Sequence, residues 1–538
     1  MAKGYRPVDR DQVFLFPPDM REWLPEDHPV WLVIAAVEQL DTSVFHAGRK
    51  LGGAGTAGYD PDMLLTVLVW AYAHQVRSSR RMEELCRTDV AFRVICAGNL
   101  PDHCTFARFR GDLPDVVGEF FGQVLGLCAR LGMGRLGVVA LDGMKIAACA
   151  SKSANRTAGR LRQLGAEAVA AHAAADAAED QLFGEGRRGD EVPEEVWSPR
   201  SRAERIAAAL ADLKAEREAA ERAEEAKAQA YWERQAAGQR AGLPPAGVQV
   251  AAAEQNLARV RAAREARLAV LEEKYARPGS RGRRRSAGID DCYQVKRAEA
   301  KVEAARARAA QMERQAAERE RTRKGPGPVR NLTDPDSRLM PVRGGGFIQG
   351  YNTQNVTSAD GLIIATTLTR DTTDIAWFAP MMDAAAGAAD LIAAHRRGDS
   401  GGEPQAGIGL VLADAGYCSN ANLTCAGPDR LIAVGKRRDL EKAARDRGDT
   451  GTSWGGEAIT AMRGRLKTPA GIEAYRQRGH IAETPHGHIK HTLGLRQLSV
   501  RGTAKATAEW TFAAAVHNLL KTITSGHLTP QALTTPAS

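Results

Sequence analysis

The sequence predicts an α/β chain: a mixed sheet flanked by helices, with a helical N-terminal domain and a long helical, coiled-coil-like insertion. Three observations predict it. Apolar runs of β-formers carry single acids at Asp142 (VVALDG) and Asp414 (LVLADAGY). Between them, GFIQGYNTQNV and GLIIATTLT read as two strands joined by the turn residues Thr357 to Asp360. From Ser153 to about Asn331 the composition shifts to alanine with charge of both signs, which favours helix over strand.

At 538 residues the chain exceeds what one core organises, so two to four domains are expected. Hydrophobic residues make up 43% and charged residues 26%, the ordinary balance of a soluble globular protein. The net charge of +9 and a sequence pI near 9.2 favour a polyanionic partner, nucleic acid before membrane, with a solvated surface as the alternative. No apolar run approaches 18 residues and MAKGYRPVDRDQVFLFPP lacks a signal region, so a cytoplasmic, nucleoid-associated protein is expected. The eight cysteines are dispersed without a C-x-x-C pair, which speaks against a zinc site or a disulfide framework and for reduced thiols.

The first 135 residues read as short helices. Asp60-Pro61 opens MLLTVLVWAYAHQV, Arg77-Ser78-Ser79 leads into RRMEELCR, and DVAFRVICAG follows. Asp102 caps a short helix carrying Arg108 and Arg110, and these arginines are candidate phosphate contacts of a helix-turn-helix-like module. A plain helical bundle with solvated arginines is the alternative. Residues 136–152 form the first strand of the sheet, which is expected to end at the Asp142 carboxylate. The insertion, 153–331, should hold two to four long antiparallel helices broken at Gly184 to Gly186, Leu243 to Pro245 and Pro278 to Gly288. Alanine in most apolar positions weakens its heptad seam. Its RGRRR run, Arg281 to Arg285, is a basic loop. Residues 332–538 complete the sheet: a helix from Asp374, the strand closing at Asp414, a strand at RLIAVGK, and helices at Gly471 to Lys490 and TAEWTFAAAVHNLLKTI.

An acid inside an apolar strand is tolerated when it is paired or holds a metal; a turn-capping acid is the bland alternative for either aspartate alone. Two such acids at strand ends, each followed by a small residue, mark a site. A third lies in YRQRGHIAETPHGHIK. Tyr475, Arg478, Glu483 and Lys490 there resemble the Tyr–Arg–Glu–Lys signature of bacterial insertion-sequence transposases of the Asp-Asp-Glu class, with four residues rather than three between Arg478 and Glu483. YDPDMLLTVLVWAYAHQVRSSRRMEELCRTDVAFRVICAGNLPDHCTFARFR is similar to the N-terminal domain of those proteins. GGGFIQGYNTQNVTSADGLIIATTLTRDTTD is similar to their second and third strands, and RGTAKATAEWTFAAAVHNLLK to their closing helix.

The resemblance implies an RNase H-like catalytic domain and Mg²⁺ or Mn²⁺ held by Asp142, Asp414 and Glu483. Its expected substrate is double-stranded DNA, the transposon terminal inverted repeats and target DNA, bound by a homodimer. Hard carboxylate donors suit such ions. Lys145, Tyr475, Arg478 and Lys490 are then expected on DNA, beside Arg108 and Arg110. His480, His486, His488 and His491 cluster along the signature helix, where His486 and His488, two apart, would face different ways, which speaks against zinc. The competing readings are an RNase H-like nuclease that only cuts, and an inactive DNA-binding scaffold.

Overall fold

The computed structural model describes residues 19–47, 58–167, 199–239, 242–276, 288–322, 329–342, 345–396, 407–435 and 456–534. The Gly184 to Gly186 break and the Arg281 to Arg285 run lie outside them. The chain forms two compact units, residues 1–154 with 333–538, and residues 155–332.

The first unit begins with helices α1 (Pro29–Glu38), α2 (Pro61–Ala73), α3 (Ser79–Thr88), α4 (Val90–Cys96), α5 (His103–Gly111) and α6 (Leu113–Arg130). Short polar side chains start them. Asp60 accepts from the Asp62 N–H, Ser78 from Arg81, Asp89 from Phe92 and Asp102 from Thr105. Strand β1 (Val138–Ala147) follows.

In the second unit, β2 (Asn155–Thr157) pairs antiparallel with β3 (Val329–Asn331), Asn155 opposite Asn331, so the segment leaves and returns at neighbouring points. Between them run α7 (Pro199–Ala236), α8 (Gln249–Ala276) and α9 (Tyr293–Thr322). Arg306 pairs with Glu254 and Arg261 with Glu299, both at 2.6 Å, a register that only antiparallel α8 and α9 allow. The core of this unit is small, Leu161, Leu164, Ile206 and Ala209, as expected where alanine replaces larger apolar residues.

The first unit resumes with β4 (Arg338–Pro341), β5 (Phe347–Ser358), β6 (Ile363–Thr369), α10 (Phe378–His395), β7 (Leu410–Ala413) and β8 (Asp429–Ile432). Helices α11 (Gly456–Lys467), α12 (Pro469–Gly487) and α13 (Thr503–Thr524) follow. The sheet runs β5-β1-β7-β8. On the outer edge of β5, β4 takes residues 347–350 and β6 takes 352–357. Strands β4, β5, β6 and β1 pair antiparallel, whereas β1, β7 and β8 are parallel. This is the mixed sheet flanked by helices that the sequence predicts.

Side-chain alternation covers both faces. Ala140, Leu412 and Leu431 pack against Met462 and Leu466 of α11 and Ile481 and Ala482 of α12. Val139, Leu141, Val411, Ala413 and Ile432 join a larger core with Phe378 and Met381 of α10, and this core extends through α6 and α13. By length and composition Ile375–His395 would suffice to cross a membrane, contrary to the expectation of no such segment. One stripe of it, Phe378, Met381, Met382, Ala385, Ala389 and Ile392, is buried in this core.

One expectation is corrected. Asp142 lies in the middle of β1, not at its end. Strand β5 is long enough to pair with β1 as far as Ala147, while β7 stops at Ala413 opposite Leu141. The carboxylate therefore stands beyond the end of its parallel neighbour, the position at which open α/β sheets build ligand sites.

Candidate active site

Asp414 follows the last residue of β7 and caps the next turn, its Oδ1 accepting from the Gly416 N–H at 2.9 Å. Asp142 on β1 and Asp414 just after β7 thus each stand one residue beyond the parallel Leu141–Ala413 pair. Helix α12 crosses this end. Thr468 caps it, Pro469 starts it, and the Tyr475 hydroxyl donates to the Ala413 carbonyl at 3.2 Å, tying it to the tip of β7. One turn later the Arg478 guanidinium stands 2.8 Å from Asp142 Oδ1 and 3.9 Å from Asp414 Oδ2. Farther on, His486 Nδ1 lies 3.7 Å from Asp142 Oδ2.

The electrostatics separate the two aspartates. Burial would raise Asp142, but contact with His486, the charge of Arg478 and the Gly143 N–H outweigh it and hold the carboxyl below its usual range. Burial raises Asp414, and the neighbouring Asp142 charge adds to this against Arg478 and the Gly416 N–H. Arg478 loses by burial but is held more firmly protonated by Asp142, Tyr475, Asp414 and Glu483. Arg478 Nε and His486 Nε2 are buried without a hydrogen-bond partner.

Glu483 is exposed on α12, five positions after Arg478. Five residues turn a helix by about 140° from the Arg478 direction, whereas a spacing of four would turn it by about 40°. The buried Ala482 holds that nearer position. The Asp142, Asp414 and Glu483 oxygens do not all come within 4.8 Å of one another. Among the described residues the group that does is His46, Asp60 and Asp62 at the start of α2.

The expected DNA contacts divide. Arg108 is exposed on α5, and Lys145 reaches the Thr372 carbonyl at 2.9 Å. Lys490 is half-buried in a π-helical turn, His488–Thr492, that continues α12. Arg110 is engaged inside the fold. It donates to the Arg77 carbonyl at 2.7 Å and to Ser499, and pairs at 3.4 Å with Glu509, a carboxylate only 2% exposed.

Several neighbours carried no sequence signal that periodicity detects. Asp374, in the loop after β6, accepts from the side-chain amides of Asn352 and Gln354, both at 2.7 Å. Gln354 in turn accepts from the Tyr417 hydroxyl. His486 had one usable signal: eleven positions after Tyr475 return to nearly the same side of a helix, within about 20°.

Residues 18–112 match a family model described as a transposase domain (DUF772), and residues 442–523 match one described as a transposase DDE domain. No curated protein and no solved structure matches the chain.

Proposed function

With these two matches the chain is an insertion-sequence transposase of the DDE class, and from this premise we propose that it binds the ends of its element and catalyses metal-dependent strand cleavage and strand transfer. Proteins with this domain generally use divalent metal ions. We assign Asp142, Asp414 and Glu483 as the residues that hold Mg²⁺ or Mn²⁺. The donor set suits such an ion: hard carboxylate oxygens outnumber the one guanidinium between them. A divalent ion held there would supply Lewis acidity toward the phosphoryl oxygens and activate the attacking hydroxyl or water.

The observation that carries this reading is the meeting of Asp142 and Asp414 at Arg478 beyond the end of β7. Arg478 offsets the charge of the acids, which lowers the repulsion that an incoming phosphodiester meets. Lys145 and Lys490 supply cations for the DNA backbone, and exposed Arg108 does so on α5. Double-stranded terminal repeats and target DNA are the proposed partners, held by a homodimer, and the 155–332 unit is assigned to assembling the two-ended complex.

The outward position of Glu483 favours a second reading, a scaffold that binds DNA ends without cutting them. One experiment separates the two. The purified full chain, incubated with DNA carrying the sequences that flank its gene, should nick or release the ends only when Mg²⁺ or Mn²⁺ is added. Retention of the ends in a gel shift with no cleavage under either ion would establish the scaffold.

A further inference from the structure

Asp374 pairs with no lysine, arginine or histidine among the described residues, although it lies beside two other carboxylates. Its Oδ1 accepts from two neutral amides, Asn352 Nδ2 and Gln354 Nε2. The backbone around it has been cleared of side chains. A Cβ on Gly143, the residue after Asp142, would lie 2.6 Å from Asp374 Oδ1. A Cβ on Gly416 would lie 3.1 Å from Asp374 Oδ2 and 3.0 Å from Asp414 Oδ1, so these two oxygens flank the same α-carbon. Gly143, next to Asp142, and Gly416, two residues after Asp414, thus leave room for a third aspartate, although the oxygens of Asp142, Asp374 and Asp414 do not all come within 4.8 Å of one another.

A second observation concerns a neutral side chain. Asn352 is 1% exposed, and its Oδ1 has no hydrogen-bond partner. Its orientation is fixed, because reversing the amide would set its oxygen against the Asp374 carboxylate. A buried acceptor left over beside clustered carboxylates costs free energy unless a cation or a cation's water meets it. Arg478 is bonded to Asp142 at 2.8 Å and stands 3.9 Å from Asp414; among the described residues no corresponding cation pairs with Asp374.

We propose that Asp374 is a fourth carboxylate of the cation site, with Oδ1 anchored by Asn352 and Gln354 and Oδ2 offered to the divalent ion. This rests on the reading that Asp142 and Asp414 hold that ion. It assigns β5 a role in the site: Asn352 and Gln354 orient a ligand supplied from the loop between β6 and α10, and Tyr417 orients Gln354.

Mn²⁺ binding to the full-length protein without DNA tests it, followed by electron paramagnetic resonance. Asp374→Asn keeps an oxygen acceptor for both amides and removes only the charge. It should weaken Mn²⁺ binding by about tenfold or more while the metal-free melting temperature holds or rises. If Asp142→Asn weakens binding and Asp374→Asn leaves it unchanged, the inference is overturned and the wider reading of the site survives. If neither variant changes it, both fall together. Ligation is separated from mere proximity by Asp374→Cys, which should raise the affinity for Cd²⁺ relative to Mn²⁺ above that of the parent chain. An unchanged Cd²⁺ to Mn²⁺ ratio overturns the proposal even if the asparagine variant folds poorly.

Discussion

The Arg478 guanidinium reaches Asp142 on β1 at 2.8 Å and Asp414 beyond β7 at 3.9 Å, so one side chain from α12 spans the ends of two parallel strands. Arg478 and Asp142 each have side chains only 15% exposed. Removing the cation leaves two partly buried carboxylates facing each other. Arg478→Ala should therefore lower the metal-free stability by about 3 kcal/mol. In a double-mutant cycle, adding Asp142→Asn should return part of that loss. Urea melts that place the single variant within about 0.5 kcal/mol of the parent would show that the pair contributes nothing.

Asp414 should behave in the opposite sense. Its folded-state pKa is raised, by burial first and the Asp142 charge second. A raised carboxylate favours folding below its unfolded value and loses that advantage as pH climbs through the folded one. At neutral pH the ionised group is then a cost. Asp414→Asn should hold or raise the metal-free melting temperature at pH 7, and a clear fall would mean that its charge is compensated in the folded state.

A third prediction separates two arginines on one helix. Arg108 is exposed, whereas Arg110 supports the buried Glu509, which also accepts from Tyr72 at 3.2 Å and from the Ser499 N–H at 2.7 Å. Arg110→Ala should destabilise the fold by about 3 kcal/mol. Arg108→Ala should leave the melting temperature in place and reduce the salt slope of DNA binding by about one. The reverse pattern would exchange their roles.

His517, on α13, is buried and depressed to about 3, by burial above all, with its Nε2 at 3.0 Å from the Gly361 carbonyl and its Nδ1 at 2.9 Å from His488. A histidine kept neutral in the fold stabilises above its unfolded value, about 6.5, and this stability is lost as pH falls toward the folded value. Unfolding free energy should drop by up to about 1.4 kcal/mol per pH unit in this window. His517→Gln should flatten the profile, and an equally steep variant would assign the dependence to another group.

The strands and the flanking helices were legible because each rests on local pattern: alternating or continuous apolar runs, and caps such as Asp102 in front of Thr105. Composition marks the long helices between β2 and β3, and those strands pair at Asn155 and Asn331. Contacts set by the third dimension were not legible. Asp142 reads as a strand end because an acid interrupts the apolar run, yet the length of β5, far along the chain, carries β1 to Ala147. Arg110 and Arg108 look alike in sequence, and only the packing of α13 distinguishes them. Asp374 sits in a loop and is recruited by amides on β5, a relation that no periodicity encodes.

The central claim is that Asp142, Asp414 and Glu483 act together on DNA strands through a divalent ion. Single-turnover cleavage of DNA bearing the element's own ends, with Mn²⁺ and equal amounts of end-bound protein, tests it most directly. Asp142→Asn, Asp414→Asn and Glu483→Gln should each reduce cleavage by about a thousandfold or more while end binding persists. Near-parental cleavage by Glu483→Gln, the residue that the fold leaves exposed, would contradict the claim and remove it from the site.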